Sequence, residues 1–296
     1  MREEIKRAIL KTLIYSDIFN YPLSQDELWK FLIGKKIDKE SFDQLLEDSL
    51  PEKVNFKNNF YCLKGREDIV QIRLARKKES QKKIVTAKKI IKQLTLLPTI
   101  QFIGISGALS LGNSSKEDDI DLFVIASKDR LWLTRLTIII FLLFMGRYRR
   151  RNEIEVSDKI CLNMLIDETA LVFHKIRQNL YTAHEIVQLM QVFERNDMYK
   201  KFMGENKWVE KFLPNSIDTK ILGYKDIKRK EGKSLNISIS QYLNMFNLLA
   251  KKLQLWFIKK HITSETVNDN FLAFHPLDYK NMTLKEYEKR LLKYEI

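Results

Sequence analysis

Residues 106–125 read SGALSLGNSSKEDDIDLFVI, and this stretch decides how the chain is read. Asp119 and Asp121 stand two apart where the sequence turns apolar and β-branched. In a strand, side chains at i and i+2 share a face, so both carboxylates project together. Carboxylates that close repel unless positive charge lies between them, and a divalent cation with oxygen ligands, Mg²⁺ or Mn²⁺, supplies it. Just upstream, TIQFIGIS (99–106) reads as a strand running into a glycine-containing turn. Backbone N–H groups at such a turn can face an anion with no side chain in the way. An Asp-x-Asp alone also arises at solvated strand ends. With an anion-binding turn before it and apolar flanks on both sides, it suits a metal-bound nucleoside triphosphate (NTP).

Outward from this segment, IDLFVIA (120–126) is a second strand and LWLTRLTIIIFLLFMG (131–146) a helix. KICLNMLI (159–166) is a third strand. Strands alternating with helices predict an α/β sheet over 98–168. The apolar run at 136–145 falls short of the ~20 residues a membrane span needs. Arg135 and the RYRRR of 147–151 bracket it, so it is expected as a buried helix, with no membrane span.

Residues 1–64 read as three helices and a hairpin, the order of a winged helix. Ser24 with Glu27 forms a capping box for a helix running to Gly34, and Asp38 caps a third helix. That third helix carries Glu40, Asp43, Glu47 and Asp48 against Lys39, which opposes DNA phosphates. A packing or protein-interaction module is expected instead. A connecting helix over 65–97 carries nine cations from Arg73 to Lys92 against Glu79, a solvated face or a possible nucleic-acid surface. Residues 169–296 read as helical throughout, with a polar linker near 215–238. YTAHEIVQLMQVFE (181–194), NKWVEKFL (206–213) and SQYLNMFNLLAKKLQLWFIKK (240–260) are its helices, the aromatic stripe of the last being assigned to core.

The net charge is +14 over 296 residues. Two cysteines, Cys62 and Cys161, cannot build a disulfide framework or a structural zinc site, and Cys161 reads as core. The four histidines share no metal-like spacing. The opening MREEIKRAILK has no signal-peptide pattern, so a cytoplasmic location is expected.

The strand, the glycine turn and the Asp-hydrophobic-Asp resemble the DNA polymerase beta-type nucleotidyltransferase superfamily, with Gly107, Gly112, Asp119 and Asp121 on its pattern. IFNYPLS (18–24), LYTAHEI (180–186) and FHPLDY (274–279) extend the likeness to bacterial nucleotidyltransferase-domain proteins. The resemblance implies a small mixed α+β sheet flanked by helices, between a winged-helix-like domain and a helical C-terminal region. It implies that Asp119 and Asp121 bind metal while Gly107 and the turn after it hold phosphates. Ala108 stands where the family has a phosphate-binding serine, with Ser106 and Ser110 flanking it. Asn163 stands mid-strand where active members carry a third carboxylate, and Asp158 is the nearest alternative. Lys116 and the 147–151 cluster are the candidate triphosphate cations. The implied activity moves a nucleoside monophosphate from NTP to an unidentified hydroxyl-bearing acceptor with release of pyrophosphate. The alternatives are a nucleotide sensor without catalysis, or a nucleic-acid-binding protein with a degenerate transferase domain.

Overall fold

The computed structural model describes residues 2–217, 237–260, 266–274 and 277–296. Most of the linker expected near 215–238 lies outside the described residues, as do positions 275–276 of the FHPLDY stretch.

The N-terminal elements form where the caps place them. Helix α1 (Arg2–Asp17) buries Ile5, Ile9, Leu13 and Ile14 at helical spacing. Helix α2 (Gln25–Lys30) carries the complete capping box: the Ser24 hydroxyl accepts from the Glu27 N–H and the Glu27 carboxylate accepts from the Ser24 N–H. It stops short of the expected Gly34, whose φ of +73° turns the chain and whose N–H donates to the Phe212 carbonyl at 2.9 Å. Asp38 caps α3 (Lys39–Leu46) by accepting from the Ser41 N–H at 2.8 Å. Strands β1 (Val54–Lys57) and β2 (Phe60–Leu63) pair across Asn58 and Asn59, both at positive φ. Helix α4 (Ile69–Leu94) then leads into the sheet.

The sheet contains β3 (Ile100–Ile105), β4 (Ile120–Ala126) and β5 (Ile160–Asp167), as the sequence pattern predicts. The one-turn helix α5 (Gly107–Ser110) follows β3, and α6 (Leu131–Phe144) crosses between the parallel pair β4 and β5. Residues 169–296 depart from the helical expectation. Helix α7 (Leu180–Val187) ends at Gln188, and β6 (Met190–Glu194) pairs antiparallel with β3. Later, after α8 (Met198–Glu205) and α9 (Ile237–Lys259), strands β7 (Thr266–Val267) and β8 (Phe271–Ala273) extend the other edge through β5. Helix α10 (Leu277–Tyr294) closes the described chain. The expected helix at 206–213 is a short 3₁₀ turn, Lys207–Lys211.

The sheet order is therefore β6-β3-β4-β5-β8-β7. A three-stranded β3-β4-β5 sheet leaves two rows of unpaired backbone groups, and pairing them outweighs a weak local helical preference. Gln191 to Phe193 gain burial by joining the edge.

Each sheet face is covered. On one side Ile91 and Leu94 of α4, Trp132 and Leu142 of α6 and Ala250 of α9 share a core with Ile103, Leu122, Val124 and Leu165. On the other side Phe102, Phe123 and Ile166 share a core with α7, α8 and the N-terminal helices. Most buried apolar residues of the 1–64 segment belong to this second core, while Phe60 and Cys62 pack with Ile69 and Val70 of α4 in a small cluster of their own. No described helix is long and apolar enough to cross a membrane.

Candidate metal and nucleotide site

Asp119 immediately precedes β4 and Asp121 is its second residue. Across the parallel ladder Asp121 registers with Cys161. Asp119, Asp121 and Cys161 each offer a donor atom, and these atoms lie within 4.8 Å of one another. The neighbouring strand thus brings a thiol to the pair. Asn163 falls at a register irregularity between Leu122 and Phe123, and its amide donates to the Ser106 hydroxyl at 3.3 Å.

Gly107 takes a φ of +64°, and a Cβ there would lie 2.7 Å from Asp121 Oδ2. The turn and the carboxylate are therefore in direct apposition, which glycine alone allows without strain. Asp121 Oδ1 is shut off from solvent and accepts no hydrogen bond from the described residues. Burial, with the Asp119 charge next to it, pushes the Asp121 carboxyl up to about 7. A sealed carboxylate oxygen with no donor is costly, and its environment fits a cation.

Two arginines supply positive charge. Arg149 lies between α6 and β5 and donates to Asp119 Oδ2 at 2.6 Å. Arg76 on α4 donates to the Asn113 side-chain oxygen at 3.4 Å and has no carboxylate partner among the described residues. The Cys161 thiol is pushed well above its ordinary range, first by burial and then by Asp121 and Asp119, so it stays protonated at neutral pH. A protonated sulfur is a poor ligand for Mg²⁺, which takes oxygens. The donor set that fits a hard cation is the two carboxylates.

The remaining predicted residues divide. Gly107, Ala108 and Asp121 line a cavity of about 400 Å³, joined by Asp118, Arg76 and residues of α1, α7 and α10. Ser106 is buried behind the turn against Asn163, and the Ser110 hydroxyl donates to the Gly107 carbonyl at 2.7 Å. Gly112, at φ +67°, completes the turn. Lys116 is exposed, and its carbonyl accepts from the Ser157 hydroxyl at 2.7 Å. Asp158 stands outside the metal-competent group and pairs with the buried Lys83 at 3.3 Å. It supports the loop rather than the carboxylate pair, since Lys83 also donates to the Asp118 carbonyl at 2.6 Å.

The N-terminal helices form one wall of the cavity. The Tyr21 hydroxyl lies 2.6 Å from Glu27 Oε1 and 3.0 Å from the Leu111 carbonyl, and the Asn113 amide donates to the Phe19 carbonyl at 3.2 Å. Tyr15 stacks on His184 of α7 at 4.3 Å between ring centroids. Burial drives His184 down to about 3, so its ring is neutral, and Nε2 has no hydrogen-bond partner among the described residues. Sequence reasoning missed Cys161, Arg76 and the α7 wall. Cys161 had one available signal, its place on the strand expected to carry the third carboxylate.

The basic run of 73–92 is also sorted by the fold. Arg73 and Lys83 are buried, Arg76 lines the cavity, and Lys78, Lys82, Lys89 and Lys92 remain on the exposed side. No family model, curated protein or solved structure matches this chain.

Proposed function

We propose that this chain is a divalent-metal-dependent nucleotidyltransferase that moves a nucleoside monophosphate from NTP to a hydroxyl-bearing acceptor. One observation carries the reading: the Asp121 carboxylate beside Asp119, with Oδ1 buried and without a hydrogen-bond partner among the described residues and Oδ2 against the positive-φ Gly107 turn at the wall of the cavity. Asp119 and Asp121 would hold Mg²⁺ or Mn²⁺, which when bound supplies charge neutralisation for the phosphates and the developing pyrophosphate. The Gly107–Ala108 turn presents backbone to the triphosphate with no Cβ in the way at Gly107. Arg76 faces the same cavity as a phosphate counter-charge, and Arg149, released from Asp119, becomes a second. The acceptor oxygen attacks the α-phosphorus, the α–β phosphoanhydride bond breaks, pyrophosphate leaves and the hydroxyl proton passes to solvent. Rate enhancement rests on alignment and preorganised charge.

A second reading, nucleotide binding without transfer, is favoured by β5. Its residue opposite Asp121 is a protonated cysteine, and Asn163 has no basic function, so β5 offers no base at the Asp121 end of the ladder.

Calorimetric titration with each NTP, with and without Mg²⁺, tests both readings alongside an assay of pyrophosphate release. The transferase predicts Mg²⁺-dependent binding and pyrophosphate release, both lost in Asp119→Asn and Asp121→Asn. Binding without release across a panel of hydroxylic acceptors supports the sensor. NTP binding that survives Asp121→Asn unchanged overturns both.

A further inference from the structure

Helix α9 carries an apolar face that no described residue covers. Tyr242, Phe246, Leu249, Leu253 and Trp256 alternate at spacings of four and three, which places them in one stripe. Each is between 50 % and 64 % exposed. The opposite side of α9 is already used: Asn244 accepts from Arg130, Asn247 accepts from the Leu133 N–H, and Gln254 bonds Arg135 and the Trp132 carbonyl. The stripe assigned to core on sequence grounds therefore faces outward, because α9 docks through Asn244, Asn247 and Gln254 together with Ala250, Leu255 and Ile258 on its other side. Five large apolar side chains in a continuous row exceed the scattered exposed residues of an ordinary surface.

Charge selects the occupant. Residues 237–260 contain four lysines and no Asp or Glu. Lys251 is paired with Asp269 at 2.6 Å, whereas Lys252, Lys259 and Lys260 are exposed, with Lys260 above the Trp256 ring at 3.7 Å. Two copies meeting through this face would oppose lysine to lysine with no carboxylate on the helix to compensate. An anionic lipid surface satisfies both features, accepting the aromatic row at the headgroup boundary and the ammonium groups at the phosphates. Tyr and Trp suit that boundary because each joins an apolar ring to a polar tip. Helix α6, packed on α9, also ends in an exposed aromatic, Phe144 at 93 %, followed closely by Arg147 and Arg150.

We propose that α9 lies in the plane of an anionic membrane surface and makes this a peripheral membrane protein. The helix lies on the bilayer and does not cross it, because its other side is committed to the protein core and no described helix has the length and apolarity of a span. This inference does not depend on the nucleotide site.

The 296-residue protein tests it by flotation with vesicles of phosphatidylcholine alone and of equimolar phosphatidylcholine and phosphatidylglycerol. Three of the four tryptophans, Trp29, Trp132 and Trp208, are buried, so a vesicle-induced blue shift in emission reports Trp256. The expected result is binding to the anionic vesicles only, with a blue shift. The Phe246→Ser/Trp256→Ser variant and the Lys252→Gln/Lys259→Gln/Lys260→Gln variant, each verified as folded by circular dichroism, should each lose about tenfold or more in partitioning. Absence of binding overturns the proposal, as does binding unchanged in both variants. A dimer in sedimentation that the apolar variant dissolves would overturn it in favour of a second copy of the chain.

Discussion

Asp121 Oδ2 lies 2.7 Å from the point a Cβ on Gly107 would occupy, so the glycine turn and the carboxylate are one packed unit. Gly107→Ala would meet two costs: about 1 kcal/mol or more for a left-handed backbone with a Cβ, and displacement of the carboxylate. A lowered melting temperature and loss of Mg²⁺-dependent NTP binding are expected together. Gly112→Ala, at φ +67° with nothing within 4 Å of its Cβ position, should cost the backbone strain alone and leave NTP binding in place. Thermal melts and calorimetry on the pair separate the two effects.

The raised Asp121 carboxyl makes the metal-free protein pH-sensitive in a fixed direction. Its folded value of about 7 exceeds the ordinary 3.8, so between those limits the folded state binds more protons than the unfolded state. This group's contribution to stability therefore falls as pH rises from about 4 to about 7. Because the cavity partly solvates the side chain, the expected size is about 1–2 kcal/mol. Urea unfolding in EDTA should show Asp121→Asn more stable than wild type at pH 8 and equal to it near pH 4. Adding Mg²⁺ at pH 8 should reverse that order, and failure to do so would count against a metal on this carboxylate.

Cys161 occupies the register position opposite Asp121. Cys161→Asp would place a third carboxylate there. Metal-free, this variant should lose about 1–3 kcal/mol at neutral pH through added like charge. With Mg²⁺ the third oxygen ligand should tighten metal binding by about tenfold or more. Melts with and without Mg²⁺ would read both signs. Cys161→Ser, which adds no charge, should do neither.

Arg73 belongs to the interior and not to a nucleic-acid surface. Its guanidinium lies 4.1 Å from the Tyr21 ring centroid and 4.3 Å from that of Phe60, and it pairs with Glu27 at 2.7 Å. Arg73→Ala should cost about 1–3 kcal/mol by leaving the partly buried Glu27 without its counter-charge, though still hydrogen-bonded by Ser24 and Tyr21, with partial recovery in Arg73→Ala/Glu27→Gln. Denaturant melts check this. Any salt-sensitive affinity of the folded protein for RNA or DNA should respond to Lys82, Lys89 and Lys92 instead.

Local chemistry made much of the fold legible. Ser24 with Glu27, Asp38 with Ser41, and Asn58-Asn59 each act within a few residues, so caps and hairpin are readable from spacing. The same holds for the three strands around the Asp pair, where β-branched apolar runs are bounded by turns. The strand β6 was not legible, because MQVFE continues an α7 pattern and becomes a strand only when the β3 edge is beside it. The two short strands β7 and β8 arise in the same way from the open edge of β5.

The sequence by itself determined the carboxylate pair, the glycine turn and the element order that sets one against the other, since all depend on i, i+2 alternation and backbone freedom. Only the tertiary structure decided that Cys161 stands beside the carboxylate pair and that Asp158 is held by Lys83. It also decided that Arg149 neutralises Asp119 and that the N-terminal helices wall the cavity. The physical reason is register and burial. Which residue of β5 faces Asp121 depends on one irregularity in a ladder, and which cation meets which carboxylate depends on segments dozens of residues apart packing on the same sheet.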